Sequence, residues 1–98
     1  MSILPRVSFL DKLFMTRHLA VMLKAGITLP EALEIIGKQS HSRQFKRMMR
    51  EMEADVRNGL SLKEVLGKWP ADFDSLYRSV VGIGEESGTL KLIWNIWR

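Results

Sequence analysis

The sequence predicts an all-α fold, a compact antiparallel bundle of about six short helices with the last one truncated. Strand-like alternation of apolar and polar residues is absent, and the good helix formers Leu, Met, Ala, Glu, Lys and Arg dominate the chain. Glycine, proline and serine breaks divide it into segments of helical length. The 98 residues, of which 46% are hydrophobic and 27% charged, suit one domain with a single core.

These breaks give the approximate bounds of the predicted helices. In order, they are Phe9–Ala25, Leu29–Lys38, Arg43–Asn58, Leu62–Trp69, Phe73–Gly84, and Thr89 or Leu90 to the chain end. Pro70 is expected to stop the fourth helix, because proline disfavours the α conformation in the residue before it. Asp72 is the expected N-cap of the fifth helix.

A corner between helices occurs twice, as GITLPEAL at 26–33 and GLSLKEVL at 59–66, an offset of 59 − 26 = 33 residues. Gly26 and Gly59 are each expected to end a helix in the left-handed conformation. The Thr or Ser two residues later then caps the next helix, and the Glu three residues beyond it can complete a capping box. The repeat predicts two helix–turn–helix corners and does not by itself establish a duplicated fold.

The third predicted helix has one apolar stripe and one basic face. Phe45, Met49, Met52 and Val56 recur at helical spacing and are expected to face the core. The opposite face carries mainly cations: Arg43, Lys46, Arg47, Arg50 and Arg57, together with Glu53.

The first predicted helix is apolar on two sides. One face holds Leu10, Leu13, Phe14 and Val21, with Arg17 within it, and the other holds Met15, Leu19, Met22 and Leu23. Such a helix is either central in its bundle or covered by a partner, and the pattern favours a central position.

Catalysis and bound cofactors find little support in the sequence. There is no cysteine, and the only histidines, His18 and His41, are not paired with a nucleophile. His18 is expected to pack within its helix and His41 to be solvated in a loop. We therefore predict no catalytic residue, no cofactor and no metal site.

The net charge of +4 points to an acidic partner or an anionic surface, although an ordinary domain can carry it too. The basic run from Lys38 to Arg50 could contact phosphates, but acidic residues interrupt the face and no aromatic residues interleave to stack on bases. An acidic protein patch or acidic lipid headgroups are therefore favoured over nucleic acid.

The segment GEESG at 84–88 is the most unusual stretch of the chain. Its spacing is wrong for a phosphate loop, and Glu85 and Glu86 would repel phosphate. Gly84 and Gly88 instead suit a tight corner between helices. One glutamate is expected to bind backbone N–H groups or Arg17, and the other to face solvent or a partner. A divalent cation between the carboxylates remains an alternative.

The same order of residues resembles a known family, the F-type domain of the inner-membrane platform proteins of type II secretion and type IV pilus assembly. The resemblance rests on these residues and segments: Phe14, Arg17, Leu19, Ala25-Gly26, Leu29, Ala32-Leu33, Gly59-Leu60-Ser61-Leu62, Trp69-Pro70, Phe73 and Gly84-Glu85-Glu86-Ser87-Gly88-Thr89-Leu90. The last block is the most specific. His18 departs from the Gln that many members carry.

That resemblance implies a cytoplasmic six-helix domain over residues 10–98, preceded by a leader segment over residues 1–9. It also implies a non-enzymatic role at the cytoplasmic face of the bacterial inner membrane, in which the domain couples an assembly ATPase to pilin or pseudopilin assembly. Full members carry two such domains and transmembrane helices, whereas this sequence contains no apolar run of the roughly 20 residues needed to span a bilayer. It is therefore expected to be an excised first cytoplasmic domain.

The expected partners are the assembly ATPase and inner-membrane scaffold proteins of the same machine, together with a second copy in a weak homodimer. The residues expected to bind partners are Glu85, Glu86, Arg17, Arg47 and Arg50. The residues expected to shape the fold are Gly26, Gly59, Pro70, Gly84 and Gly88. The alternative is a free-standing helical adaptor that binds an acidic partner or nucleic acid through the basic face of the third helix.

Overall fold

The computed structural model describes residues 7–74 and 78, and within that part of the chain all regular structure is α-helical. The helices are α1 (Phe9–Lys24), α2 (Leu29–Gln39), α3 (Arg43–Arg57) and α4 (Leu62–Leu66). Within this part of the chain the all-helical prediction is confirmed, and all four helices begin where the sequence placed them. The fifth and sixth predicted helices lie outside the described residues.

Each of these four helices begins with a serine or threonine N-cap in an extended conformation. The capping residues are Ser8, Thr28, Ser42 and Ser61, and each side-chain oxygen accepts a hydrogen bond from the backbone N–H three residues later. Such a cap satisfies one of the N–H groups that a helix start leaves without an intrahelical partner. The complete capping box forms at Ser61, where the Glu64 carboxylate accepts the Ser61 N–H at 2.9 Å. That bond lowers the pKa of Glu64.

Both predicted glycine corners are present. Gly26 has φ +91° and Gly59 has φ +100°, the only positive φ angles among the described residues. At the first corner, the Gly26 N–H donates to Leu23 O at 3.1 Å and the Ile27 N–H donates to Met22 O at 3.0 Å. The second corner repeats both bonds from residues 59 and 60. These paired bonds are the Schellman motif, which satisfies carbonyls at the helix end.

The core is built around α2, which packs against both α1 and α3, while α4 packs against α3. Its largest fully buried side chains come from all four helices and from residue 73: Met15, Leu19, Leu33, Ile36, Phe45, Met48, Met49, Met52, Leu62, Leu66 and Phe73. Helix α2 comes close to α3 at Gly37, where an added Cβ would lie 3.0 Å from Met49 Cβ. Methionine is flexible enough to fill the irregular space that this approach leaves.

Within the described part of the chain, helix α1 is buried mainly on one side, and the expectation of a central helix stays a prediction. Met15, Leu19 and Leu23 are buried, whereas Leu10 is 72% exposed and Val21 is 57% exposed. The periodicity shows which residues share a face, but it does not show which face has a neighbour. Within the described part of the chain, the second apolar face of α1 has no full cover.

Helix α4 ends three residues earlier than predicted. Its C-cap is Gly67, and residues 68 and 69 continue with tighter turns, in which the Lys68 N–H donates to Val65 O and the Trp69 N–H to Leu66 O. Pro70 follows in a turn, and its ring disfavours the α conformation at Trp69. Pro70 therefore acts on the turn rather than directly on the last residue of α4.

The chain before α1 is fixed to the chain after α4. The buried Val7 N–H donates to the buried Asp72 carboxylate at 3.2 Å, and Lys12 Nζ donates to the Asp72 carbonyl at 3.2 Å. The described residues that precede α1 therefore take part in the fold, although the sequence placed them in the leader segment. Asp72 was also the expected N-cap of the fifth helix, which lies outside the described residues.

We predict that Gly26→Val and Gly59→Val each lower the free energy of unfolding by about 1–2 kcal/mol, because a β-branched residue is strained at positive φ. Neither glycine has a neighbouring atom within 4 Å of an added Cβ, so the loss measures backbone strain rather than a clash. Chemical denaturation provides the measurement. The matched control is Ala25→Val, at an exposed position with φ −79°. An equal loss in the control would contradict the corner assignment.

We also predict that Gly37→Val lowers the free energy of unfolding by about 1–3 kcal/mol, because the larger side chain overpacks the contact with Met49. Combining it with Met49→Gly should cost less than the sum of the two single losses, since glycine removes the Cβ that lies 3.0 Å from the added side chain. Denaturation of the two single variants and the double variant completes the cycle. Strictly additive losses would show that Gly37 and Met49 do not limit the approach of α2 to α3.

Candidate interaction surface

The outward side of α3 is a row of cations. Phe45, Met48, Met49 and Met52 are buried and Val56 packs against the core, so the exposed positions lie on the opposite side of the helix. The exposed basic residues there define the α3 ridge: Arg43, Lys46, Arg47, Arg50 and Arg57. The predicted division of α3 into an apolar stripe and a basic face is confirmed, with Met48 added to the buried set.

The α3 ridge places positive charge where the helix itself disfavours it. The first turn of α3 contains no acidic residue, and Arg43 begins the helix. The N-terminal end of a helix carries a partial positive charge, so a cation there costs typically about 0.3–1 kcal/mol. Lys46 and Arg50 stand four residues apart, a spacing at which like charges repel. The domain thus bears a local electrostatic cost in this half of the helix.

Salt bridges neutralise only part of the positive charge of the α3 ridge. Arg47 pairs with Glu51 at 3.8 Å, and Arg57 pairs with Glu53 at 2.8 Å. Glu34 of α2 also reaches Arg57 at 4.0 Å. Among the described residues, Arg43, Lys46 and Arg50 form no such pair. The uncompensated positive charge therefore lies in the N-terminal half of α3.

A groove of about 320 Å³ runs along the seam of α2 and α3. We call it the α2–α3 groove, and its lining residues are Leu33, Glu34, Gly37, Lys38, Lys46, Met49, Arg50 and Glu53. The floor consists of Leu33, Gly37 and Met49, all buried. The charged residues form the rim, where Lys38 pairs with Glu34 at 3.5 Å. The groove therefore combines an apolar floor with a charged rim.

The second surface is the outer face of α1, an open depression of about 450 Å³ lined by Leu10, Leu13, Phe14, Arg17, His18 and Val21. The rings of Phe14 and His18 meet edge to face, with centroids 4.1 Å apart. Burial lowers the pKa of His18, and the neighbouring Arg17 lowers it further. His18 is thus a packed side chain, as the sequence predicted, and the exposed Arg17 supplies positive charge to an otherwise apolar face.

The predicted partner-binding residues fall on these two surfaces or outside the described part. Arg17 lies on the outer face of α1, and Arg50 lines the α2–α3 groove. Arg47 is exposed on the same helix, but Glu51 partly neutralises it. Glu85 and Glu86 lie outside the described residues, as do Gly84 and Gly88. A cation between the two glutamates therefore stays an untested alternative.

Gly37 is the residue that sequence reasoning missed. It lies on the apolar face of α2, four residues after Leu33, and this spacing was the available signal. A glycine within a helix costs about 1 kcal/mol relative to alanine, so its presence there calls for a packing reason. The approach of Met49 supplies that reason.

Two further properties concern the described residues alone. They contain no group of three or more His, Asp or Glu side chains that could hold a metal ion. None of the helices in this part of the chain has the length and apolar character needed to cross a membrane.

Comparison with known proteins identifies the family. Residues 15–94 match the family model described as type II secretion system (T2SS), protein F. The chain is 40% identical over 83 residues to the type IV pilus assembly protein PilC of Thermus thermophilus, a match that covers 85% of this chain and 20% of that protein. It is 38% identical over 80 residues to the type II secretion system protein F of Aeromonas hydrophila, covering 82% of this chain and 21% of that protein.

The chain thus spans about a fifth of the length of the curated relatives that it matches. The family match itself covers most of the chain and includes the glycine corners, α2, α3 and the GEESG segment. These residues make the chain a member of the type II secretion system protein F family, and they confirm the predicted resemblance to its F-type domain.

Proposed function

We propose that this chain is a non-enzymatic interaction domain at the cytoplasmic face of the bacterial inner membrane, where it couples an assembly ATPase to pilin or pseudopilin assembly. The observation that carries the proposal is the match of residues 15–94 to a family whose relatives are named for type IV pilus assembly and type II secretion. In such a role the domain provides binding surfaces and a rigid scaffold, and it catalyses no reaction.

The packing of the helices supports a role in transmitting movement. Closely packed interiors deform little, so a displacement applied to one helix is carried to its neighbours. In this domain α3 meets α2 at the tight Gly37–Met49 contact, and Lys68 after α4 pairs with Asp55 of α3 at 3.0 Å. A partner that pushes on α3 would therefore move the described helices together.

The charge distribution supports an acidic partner for α3. Arg47 and Arg50 are exposed on the α3 ridge, and complementary charge speeds association and orients the partners. In the proposed function these two arginines, with Arg17 on α1, contact acidic surfaces of the ATPase or of scaffold proteins of the same machine. Glu85 and Glu86 provide the opposite charge for a basic contact.

The outer face of α1 supports weak self-association. Leu10 and Val21 are large, exposed and on one face, with Leu13 and Phe14 half-buried between them. Pairing two copies would remove this apolar surface from water, which favours association. The area is small enough that the proposed homodimer is a weak one.

We predict that Glu85→Ala in the full-length protein strongly reduces pilus formation or secretion while the isolated domain keeps its fold. Removing the carboxylate takes away a partner contact and leaves the core unchanged. Counting surface pili or measuring secreted protein at equal expression tests this, and circular dichroism checks the fold. Glu31→Ala, at an exposed position in α2, is the matched control. Normal output from the Glu85→Ala protein would overturn the proposed role of Glu85.

We predict that the chain shows a concentration-dependent dimer fraction in sedimentation velocity at micromolar concentrations. Val21→Glu should abolish the dimer, because it would place a carboxylate within the apolar contact. Gln44→Glu, which adds a carboxylate at an exposed position of α3, should leave the dimer fraction unchanged. A chain that stays strictly monomeric at high concentration would refute the self-association.

A further inference from the structure

The charge of the α2–α3 groove differs between its two ends. Near the N-terminal half of α3, Lys46 and Arg50 stand on the rim without an ion-pair partner among the described residues. Toward the C-terminal half, Glu53 and Glu34 stand on the rim and both contact Arg57. One end is therefore positive and open to a counter-charge, and the other end is nearly neutralised.

The cations at the positive end of the groove destabilise α3 locally, and no described residue offsets this cost. Cations occupy the N-terminal part of α3, where an acidic residue would be favourable, and Lys46 and Arg50 repel each other at i, i+4. Sequences tend to break the local rules of helix stability at functional positions, where a gain elsewhere offsets the cost. A carboxylate bound between the two cations would attract both and reduce their repulsion.

The floor of the groove is apolar, so a ligand that fills it must contribute an apolar side chain. Leu33, Gly37 and Met49 are buried side by side beneath the rim, and Met49 packs against Gly37, where an added Cβ would lie 3.0 Å from Met49 Cβ. The volume of about 320 Å³ lies near the lower limit of the roughly 300–1,000 Å³ usual for ligand sites. Such a space suits one or two side chains of a peptide.

We propose that the α2–α3 groove binds a short acidic segment of a partner protein, with an apolar side chain on the Gly37–Met49 floor and carboxylates at Lys46 and Arg50. This inference rests on the proposed function and names the chemistry of the partner at this part of the α3 ridge. It assigns the contact to Lys46 and Arg50 rather than to Arg47, because Glu51 already pairs with Arg47.

A uniformly anionic ligand fits the groove less well. A nucleic acid strand or an anionic bilayer would bring phosphates to the whole rim, including Glu34 and Glu53. Arg57 nearly neutralises those carboxylates, so this end would give phosphates no attraction while the cations attract them at the other end. A peptide can place its acidic residues at the positive end alone, which is why the charge pattern favours a protein partner.

Titration of the isotope-labelled 98-residue chain with the synthetic peptide GSEELEGSG, followed by backbone amide NMR, tests the groove. We expect shifts centred on Gly37, Lys46, Met49 and Arg50. Lys46→Glu and Arg50→Glu should each weaken binding about threefold to tenfold, consistent with the loss of one partly exposed charge contact. Replacing the peptide's leucine by alanine should also weaken binding severalfold, because the floor contact is lost.

Lys24→Glu is the matched control, because it changes the net charge equally at an exposed position of α1 outside the groove. Its affinity for the peptide should stay within about twofold of the unchanged chain. An equal loss in this control, shifts centred elsewhere, or no response of the unchanged chain would overturn the groove as a peptide site. Vesicles containing phosphatidylglycerol that shift the groove amides and displace the peptide would assign it to a membrane instead.

A second arm separates this inference from the proposed function. The full-length protein carrying Lys46→Glu should show reduced pilus formation or secretion at equal expression, and the one carrying Lys24→Glu should not. Normal pilus formation or secretion by the Lys46→Glu protein, together with loss of peptide binding in the isolated domain, would show that the groove contact is not needed for function. The proposed function would stand in that case, because the Glu85→Ala measurement tests it independently.

Discussion

The contact between Gly37 of α2 and Met49 of α3 is the constraint on which the rest of the described structure depends. An added Cβ at Gly37 would lie 3.0 Å from Met49 Cβ, so the two helices approach as closely as a side chain permits. Helix α1 packs on α2 and α4 packs on α3, so both are positioned through this pair. The glycine weakens α2 locally, and the packing of buried side chains around the contact offsets that loss.

The same contact determines what α3 presents to the outside. Once Met49 faces α2 and Phe45, Met48 and Met52 complete the buried side, the basic residues have only the outward positions left. Salt bridges neutralise the C-terminal half of the α3 ridge, partly through Glu34 of the neighbouring helix. Among the described residues, the unpaired charge of the α3 ridge is thereby concentrated in one half of the helix, beside an apolar floor.

The two surfaces of the domain differ in the kind of association that they favour. The outer face of α1 is apolar and nearly without acidic neighbours, so burial of its surface would drive association with little direction. The rim of the α2–α3 groove is mostly charged, so it would orient a charged partner and speed its association with the domain. The two surfaces would therefore suit different kinds of partner.

Local features were predicted well from the sequence because each depends on residues close together in the chain. The glycine corners follow from the positive φ that Gly26 and Gly59 adopt, and the helix starts follow from the Ser and Thr caps. The C-terminal end of α4 was predicted less accurately, because the helix can end either at Gly67 or in the tight turns before Pro70. The fifth and sixth predicted helices lie beyond the described residues.

By itself the sequence determined the helical class, the corners, the basic face of α3 and the family, since periodicity, caps and motif order are properties of the chain. Only the tertiary structure decided, among the described residues, which side of α1 is buried, that Gly37 lies against Met49, and that Glu34 of α2 reaches Arg57 of α3. The physical reason is that burial and charge compensation depend on neighbours brought together across the chain. Periodicity identifies a face, but the packing of other helices determines whether that face is buried, paired or left for a partner.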